Sequence, residues 1–207
     1  MQKDCPMVMS LPIHSADGAR PNLLFACGHF PAADDNDGRR RMWQLLQLGC
    51  VTHEITCVSL ADGPIHLPQW RRVHRCVRTL DLRVRRPWFT LRRLAKAVRE
   101  RAGVAGPFDA VVTDVIGLLP TFRTLGVGRV VLNVTRQDIE RKTTQLADAD
   151  VLLLDRARLL RKLPESLHDR SIVLPRDHCV AERLAWDEAL AIAIEKFQQV
   201  MPLRRAA

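Results

Sequence analysis

Short apolar runs alternate along the chain with segments in which apolar residues recur at helical spacing. The runs are rich in Val, Leu and Ile, and several are apolar at successive positions, which is typical of strands covered on both faces. The run at 73–82 mixes Arg and His with its apolar residues, so we expect it near a sheet edge. The predicted strands are residues 22–27, 54–60, 73–82, 109–113, 129–133, 150–154 and 171–174.

Helical patterns fill the intervals between these runs, at residues 38–48, 87–102, 117–125, 137–147, 155–163 and 186–201. Strand and helix repeated in this order predict βαβ units and an α/β fold with a doubly wound, mostly parallel sheet, with strand 22–27 at its centre. Ligands of such sheets bind outside the carboxyl ends of the strands. The candidate ligand-binding segments are therefore those that follow the strands, at 28–38, 61–64, 114–117 and 133–138.

Length and cysteine usage narrow the class of protein. The chain has 207 residues, which suits one good-sized core better than two domains of usual size. No apolar run approaches the roughly 20 residues that cross a bilayer, and the N-terminus has no secretory signal pattern. The six cysteines are scattered without a C-x-x-C pair, which argues against a disulfide framework or a zinc site. These features favour a soluble protein of a reducing, cytoplasmic compartment.

The net charge of +9 is concentrated in one block. Residues 71–101 contain twelve Lys and Arg residues and two acidic residues, which predicts an anionic neighbour: a membrane face, nucleic acid or a phosphorylated substrate. The chain lacks Tyr and any helix-turn-helix or zinc-finger signature, so nucleic acid is the weakest of the three. A G-x-G-x-x-G fingerprint and a P-loop are also absent from the sequence, which argues against an ordinary dinucleotide or P-loop site.

The helix predicted at 87–102 lies inside this basic block and is amphipathic. Leu91, Ala95 and Val98 share one face at helical spacing, and Trp88 and Ala102 extend it. Either this face packs on the core as in any crossover helix, or the helix rests on an anionic membrane surface. The residues that would then face the membrane are Arg85, Arg86, Trp88, Arg92, Arg93 and Lys96.

The loop after the first predicted strand contains several residues with useful chemistry. Gly28, His29 and Phe30 follow the strand, and an acidic turn then leads to Asp37 and Gly38 at the start of a helix. Asp37 either caps the helix and does nothing else, or the helix N–H groups face an anion such as a diphosphate.

Two residues are candidates for proton transfer. His29 lies at the expected site mouth, and its unperturbed pKa near neutrality would let it assist an acceptor hydroxyl. Asp114 ends the fourth predicted strand and either acts as a general base or caps a strand-to-helix turn. No second ligand stands at metal spacing from His29, so we predict no metal site.

The order of these segments resembles the opening of bacterial GT-B glycosyltransferases of family 4, especially the exopolysaccharide-associated branch. The resemblance covers about residues 22–175. The matching residues are Phe30-Pro31, Asp37-Gly38, Arg41, Trp43 and Leu46, then Thr52-His53-Glu54 leading into 55–60, the turn 61–64, the strand 108–114 and the segment 130–138.

The chain departs from the family pattern in several places. The family's Gly-Asp order is inverted at Asp37-Gly38. In the segment 130–138, Asn133 and Thr135 stand where the family has acidic residues, so Asp138 is the acidic residue of the pattern that remains. We expect no counterpart of the family's second, donor-binding domain in this sequence. We therefore divide the chain into an N-terminal extension (1–21), a GT-B-like first domain (22–175) and a linker with a terminal helix that packs back on that domain (176–207).

The resemblance implies transfer of a sugar from a nucleotide-sugar to an acceptor in polysaccharide synthesis, without a metal or other cofactor. It implies Asp114 and His29 as catalytic groups and Phe30, Asp37, Gly38, Arg41 and Asp138 as substrate-binding residues. A separate donor-binding subunit is the implied partner, and the basic helix would make the protein peripheral at the inner membrane face. The alternative is a non-catalytic binding or scaffold protein derived from such an enzyme.

Overall fold

The computed structural model describes residues 20–32, 37–85, 90–154 and 156–173. Within these ranges seven strands form one sheet in which every pairing is parallel. The strands are β1 (Asn22–Cys27), β2 (Glu54–Ala61), β3 (Thr79–Val84), β4 (Ala110–Thr113), β5 (Val130–Val134), β6 (Val151–Leu154) and β7 (Ser171–Val173). Their spatial order is β3-β2-β1-β4-β5-β6-β7, so the predicted doubly wound, Rossmann-like α/β sheet is confirmed.

Helices connect the strands: α1 (Asp37–Thr52), α2 (Leu67–Cys76), α3 (Thr90–Ala105), α4 (Leu119–Thr124), α5 (Arg136–Leu146) and α6 (Ala157–Leu160). Short 3-10 turns precede α4 at Ile116–Leu118 and β7 at Glu165–Leu167. No helix among the described residues is both long and apolar enough to span a bilayer.

The core has two parts, one on each face of the sheet. Along β1, Leu23, Phe25 and Cys27 join one buried cluster, whereas Leu24 and Ala26 join the other. Side chains of α1 and α2 complete the first cluster, and side chains of α3, α4 and α5 contribute to the second. Successive side chains of a strand point to opposite faces, so a strand buried on both faces is apolar at most positions.

The prediction of a strand over 73–82 is wrong in its first half. Residues 67–76 form α2, and β3 begins only at Thr79. A single buried residue, Val73, anchors α2, and Trp70 stacks on His74 one turn later with ring centroids 4.6 Å apart. One buried apolar side chain among basic residues is typical of a helix on the protein surface. The Pro in the first turn of α2 favours the start of the helix at that point. The predicted edge position of this strand is confirmed, because β3 is an edge strand.

Other expectations about position differ from the structure in detail. β1 is an interior strand between β2 and β4, and β4 occupies the middle position that we expected for β1. α3 buries Leu94, Ala95, Ala97 and Val98, whereas Leu91, which the sequence placed on the core face, is 43% exposed. The predicted N-terminal extension lies outside the described residues except for its last two positions, and the predicted linker and terminal helix at 176–207 lie wholly outside them.

A close backbone approach between two loops makes Gly128 sensitive to substitution. A Cβ at Gly128 would lie 2.5 Å from the carbonyl oxygen of Asp109, just before β4. Asp109 is itself fixed, because its N–H donates to the Asn22 carbonyl at 2.9 Å and its carboxylate accepts from the Asn22 N–H at 2.8 Å. The backbone therefore has little freedom to move away from an added methyl group.

We expect Gly128→Ala to lower the free energy of unfolding by about 1–3 kcal/mol, as overpacking usually does. Gly103→Ala is the matched control, because no atom lies within 4 Å of its added Cβ and alanine favours the helix by up to about 1 kcal/mol. Urea denaturation of both variants measures the difference. Equal effects of the two substitutions would contradict this packing.

Candidate functional site

The carboxyl ends of all seven strands meet at one edge of the sheet, because all are parallel. The strand order reverses direction between β1 and β4: the chain proceeds from β1 outward to β3 on one side, and from β4 outward to β7 on the other. Connections leave this point in opposite directions, and in open parallel sheets ligands bind in the crevice expected at such a point. The candidate site is the group of side chains that follow β1, β2, β4 and β5 there.

A hydrogen bond between Gly28 and Asp114 links the ends of β1 and β4 at this reversal. The Gly28 N–H donates to Asp114 Oδ1 at 2.7 Å. A Cβ at Gly28 would lie 2.9 Å from Val115 Cγ2, so the absence of a side chain permits this close approach. Thr113 Oγ1 donates to the Ala26 carbonyl at 2.7 Å and accepts from the Val115 N–H, which fixes the backbone on either side of Asp114.

The environment of Asp114 favours its neutral form. Burial raises the pKa of the carboxyl above its ordinary value, and the nearby Asp138 carboxylate adds to the effect. The Gly28 N–H and the His29 side chain act in the opposite direction but do not cancel the burial. A carboxylate with a raised pKa is a stronger proton acceptor, which is the property that a general base requires.

An ionic cluster surrounds Asp62, which follows β2. His29 Nδ1 lies 2.8 Å from Asp62 Oδ2, Arg39 Nη2 donates to the same oxygen at 2.8 Å, and Arg85 Nη1 donates to Oδ1 at 3.0 Å. Burial opposes ionisation of Asp62, but the hydrogen bonds from His29 and Arg85 outweigh it and lower the pKa of the carboxyl. The cluster therefore fixes the ring of His29 beside the crevice.

Arg85 follows β3 and also lies against His29. Its Nη1 atom is 3.2 Å from Nδ1 and 3.4 Å from Nε2 of the imidazole. The sequence placed Arg85 among the membrane-facing residues, whereas the structure places it in the Asp62 cluster at the carboxyl edge of the sheet.

A buried polar pair connects α1 to the end of β5. Arg41 Nη1 donates to Asn133 Oδ1 at 2.7 Å, and both residues are buried. A guanidinium can be buried only when its N–H groups have acceptors, so the Asn133 amide oxygen helps to hold Arg41 in place. The pair ties the first turns of α1 to the crevice side of the sheet.

Asp138 and Thr135, the N-cap residue, together cap the N-terminus of α5. The Asp138 carboxylate accepts from the Thr135 N–H at 3.0 Å and from Thr135 Oγ1 at 2.6 Å, and the Asp138 N–H donates to that hydroxyl. This reciprocal arrangement is a capping box, which satisfies N–H groups that the helix leaves without partners.

The remaining predicted site residues fall in different places. Phe30 is only 6% exposed and packs with Ala32, Met42 and Trp43 in the core. Gly38 lies in the first turn of α1, and the side chain of Asp37 is outside the described part of the structure. Arg86 and Trp88 are also outside it, whereas Arg92, Arg93 and Lys96 are exposed on α3.

Asp62, Arg39 and the Arg41–Asn133 pairing are site features that sequence reasoning did not single out. Asp62 stands in the segment 61–64, which the rule on strand ends had marked, so its position was a usable signal. In the described residues, no three His, Cys, Asp or Glu side chains come together as a metal site.

No protein-family model matches the chain, and no curated protein matches it. Among solved structures it is similar to Anabaena Alr3699/HepE in complex with UDP and glucose, with 7% identity and a TM-score of 0.48 over 84% of this chain and 51% of that one. It is also similar to TcCGT1 in complex with UDP, with 13% identity and a TM-score of 0.46 over 82% of this chain and 55% of that one. The chain thus spans about half the length of these two structures.

Proposed function

We propose that this chain is the acceptor-side half of a GT-B glycosyltransferase. The observation that carries the proposal is the carboxyl of Asp114, held by the Gly28 N–H where the strand order reverses and shifted by burial toward a more basic pKa. The order of motifs from Phe30 to Asp138, which resembles family 4 enzymes, supports the same assignment. Polysaccharide synthesis is the process that this resemblance favours.

In this proposal Asp114 is the general base. Its carboxylate takes the proton of an acceptor hydroxyl as that oxygen forms a bond to the anomeric carbon of the donor sugar. The bond from the anomeric carbon to the nucleoside diphosphate breaks, and the diphosphate leaves with the electron pair. His29, oriented by Asp62, lies beside the reacting hydroxyl and favours the ionised form of Asp114 before the proton is taken.

Other residues position the substrates. Gly38 and Asp37 begin α1, whose N-terminus would favour a negatively charged group. Arg41 is held by Asn133 at the inner end of the crevice. Phe30 shapes the loop through its packing in the core, and Asp138 fixes the start of α5 opposite Asp114. A donor-binding partner subunit supplies the nucleotide-sugar.

The alternative is a non-catalytic binding or scaffold protein with the same fold. One observation favours it: Asp62, Asp138 and Arg41 each make hydrogen bonds within the protein. Side chains engaged in this way can maintain a fold without any substrate. The two proposals differ in whether Asp114 is needed for a reaction.

A transfer assay with a reconstituted partner distinguishes the two proposals. We expect no tight binding of UDP-, GDP- or dTDP-sugars to the chain alone by calorimetry, and transfer when a donor-binding chain is added. Asp114→Asn should then lower the rate about 100-fold or more, the range typical of general-base removal. His29→Ala should lower the rate to a smaller extent.

Asp169→Asn is the matched control, because Asp169 is exposed in the turn before β7, at the amino-terminal edge of the sheet. It should leave the rate unchanged, and thermal melting should show that all three variants stay folded. Strong transfer by the chain alone would overturn the half-enzyme proposal. Inactivity with every donor-binding partner tested would favour the scaffold.

We also propose that the outer face of α3 contacts an anionic membrane surface, which would bring the site close to a lipid-linked acceptor. Arg92, Arg93 and Lys96 are exposed there, whereas the opposite face of α3 packs in the core. Contact through this face would therefore be electrostatic and would not require the helix to insert.

Co-sedimentation with vesicles measures this contact. We expect binding to vesicles that contain anionic lipid, weakened by added salt through screening, and lost in the double variant Arg92→Glu/Arg93→Glu. Arg71→Glu/Arg75→Glu changes the charge equally on exposed positions of α2 and should retain most of the binding. Equal binding to neutral vesicles would refute an electrostatic contact.

A further inference from the structure

The described residues contain two pairs of neighbouring free thiols. Cys27 and Cys57 lie on the adjacent strands β1 and β2, and Cys50 and Cys76 lie near the ends of α1 and α2. Within each pair one thiol shifts the pKa of the other, so the two side chains are neighbours. The pairs differ in exposure, because Cys27 and Cys57 are fully buried whereas Cys50 and Cys76 are half-buried.

The Cys50–Cys76 pair lies where two packed helices end. Cys50 is in the last turn of α1, and Cys76 is the last residue of α2. The two helices pack against each other, and both cysteines rest on the same buried cluster. The two cysteines therefore lie at the C-terminal ends of two neighbouring helices.

The two thiols of this pair have different chemical character. The neighbouring Cys76 thiol is the main cause that lowers the pKa of Cys50 to about 7, burial opposes the shift, and Arg20 makes a smaller contribution. The Cys50 thiol itself donates to the Gln47 carbonyl at 3.0 Å. The same contact raises the pKa of Cys76 above its ordinary value. Cys50 is therefore the nucleophile of the pair near neutral pH, and Cys76 keeps its proton until it reacts.

The Cys27–Cys57 pair provides a contrast within the same protein. The pKa of Cys27 is raised well above its ordinary value, first by the Cys57 thiol and then by burial. Neither residue is accessible to solvent, and a neutral buried thiol is inert. Proximity of two thiols is thus common to both pairs, whereas exposure and nucleophilic character are found only at Cys50–Cys76.

We propose that Cys50 and Cys76 form a peroxide-reactive dithiol that closes reversibly to a disulfide between α1 and α2. The Cys50 thiolate attacks one oxygen of hydrogen peroxide, the O–O bond breaks, and a sulfenic acid and water result once the released hydroxide is protonated. The Cys76 sulfur, losing its proton, then attacks the Cys50 sulfur and expels a second water. Two thiols are oxidised and one peroxide is reduced, and a dithiol reductant reverses the reaction.

This chemistry would act on the helix that contributes to the candidate site. α1 also carries Arg39 and Arg41, which contact Asp62 and Asn133 at the crevice. A covalent link at the far end of α1 would restrain the helix against α2 without touching the site itself. The proposal does not depend on the proposed glycosyltransferase function, because it concerns the thiols alone.

The test uses the full chain with Cys5→Ser and Cys179→Ser, which leaves the four described cysteines. One equivalent of hydrogen peroxide is added, remaining thiols are alkylated, and the protein is digested with trypsin and with a protease that cleaves after Glu. Cleavage after Glu54 is needed because the tryptic peptide 42–71 contains both Cys50 and Cys57. We expect a Cys50–Cys76 linked peptide that disappears on reduction, with Cys27 and Cys57 recovered as thiols in the same digest.

Two variants and a pH series complete the experiment. Cys76→Ser should accumulate a Cys50 sulfenic acid that dimedone traps, whereas Cys50→Ser should lose most of the peroxide reaction. In the parent, the rate of Cys50 alkylation should reach half its plateau near pH 7. Absence of the 50–76 link, a link between two chains, or peroxide reaction of both variants at the parent rate would overturn the proposal.

Discussion

Burial of both faces of the parallel sheet is the constraint on which this structure depends. β1 alternates Leu23, Phe25 and Cys27 on one face with Leu24 and Ala26 on the other, and helices cover both sets. Residues inside these strands thus have little freedom to be polar. The buried polar residues of the described strands are Thr56, Ser59, Asp81, Thr113 and Asn133. Thr113 and Asn133 lie near strand ends, where Thr113 donates to the Ala26 carbonyl and Asn133 accepts from Arg41. The candidate binding and catalytic residues are therefore those that follow the strands.

This arrangement brings distant parts of the sequence together at one edge. Gly28 and Asp114 are 86 positions apart, and Arg41 and Asn133 are 92 apart, yet each pair is joined by a hydrogen bond. Burial in this region shifts Asp114 toward its neutral form, while the surrounding cations shift Asp62 toward its ionised form. Two carboxyls at the same edge thus acquire opposite tendencies from their neighbours.

The sequence predicted the strands best where burial leaves no choice of residue. β1, β2 and β4 are rich in apolar residues, and their predicted bounds differ from the structure by one residue or less at each end. The segment 73–82 was misassigned because a half-exposed helix with one buried Val and a half-exposed edge strand both mix apolar and basic residues. Local pattern does not distinguish these two when only a few side chains reach the core.

The sequence predicted where in the fold the candidate site lies, but not which of its residues contact each other. The rule on strand ends marked His29, Asp114 and the segment that contains Asp62. The partners of those residues depend on strand order and helix orientation, which no local window contains. Strand order also separates Arg85 from the other basic residues of the predicted membrane face. Arg85 follows β3 and lies beside Asp62, whereas Arg92 and Arg93 lie at the start of α3.

The central claim is that Asp114 is a carboxyl of raised pKa bound to the Gly28 N–H. A pH titration of the Gly28 amide and of the Asp side-chain resonances by NMR tests it most directly. The account predicts that Asp114 titrates above the ordinary Asp value of about 3.9, and that Asp62, measured in the same samples, titrates below it. Because the folded-state pKa of Asp114 is raised, its relative contribution to stability is present at low pH and is lost as pH rises through that value. A Gly28 amide that follows a midpoint at or below 3.9, or that does not respond to Asp114 at all, would contradict the account.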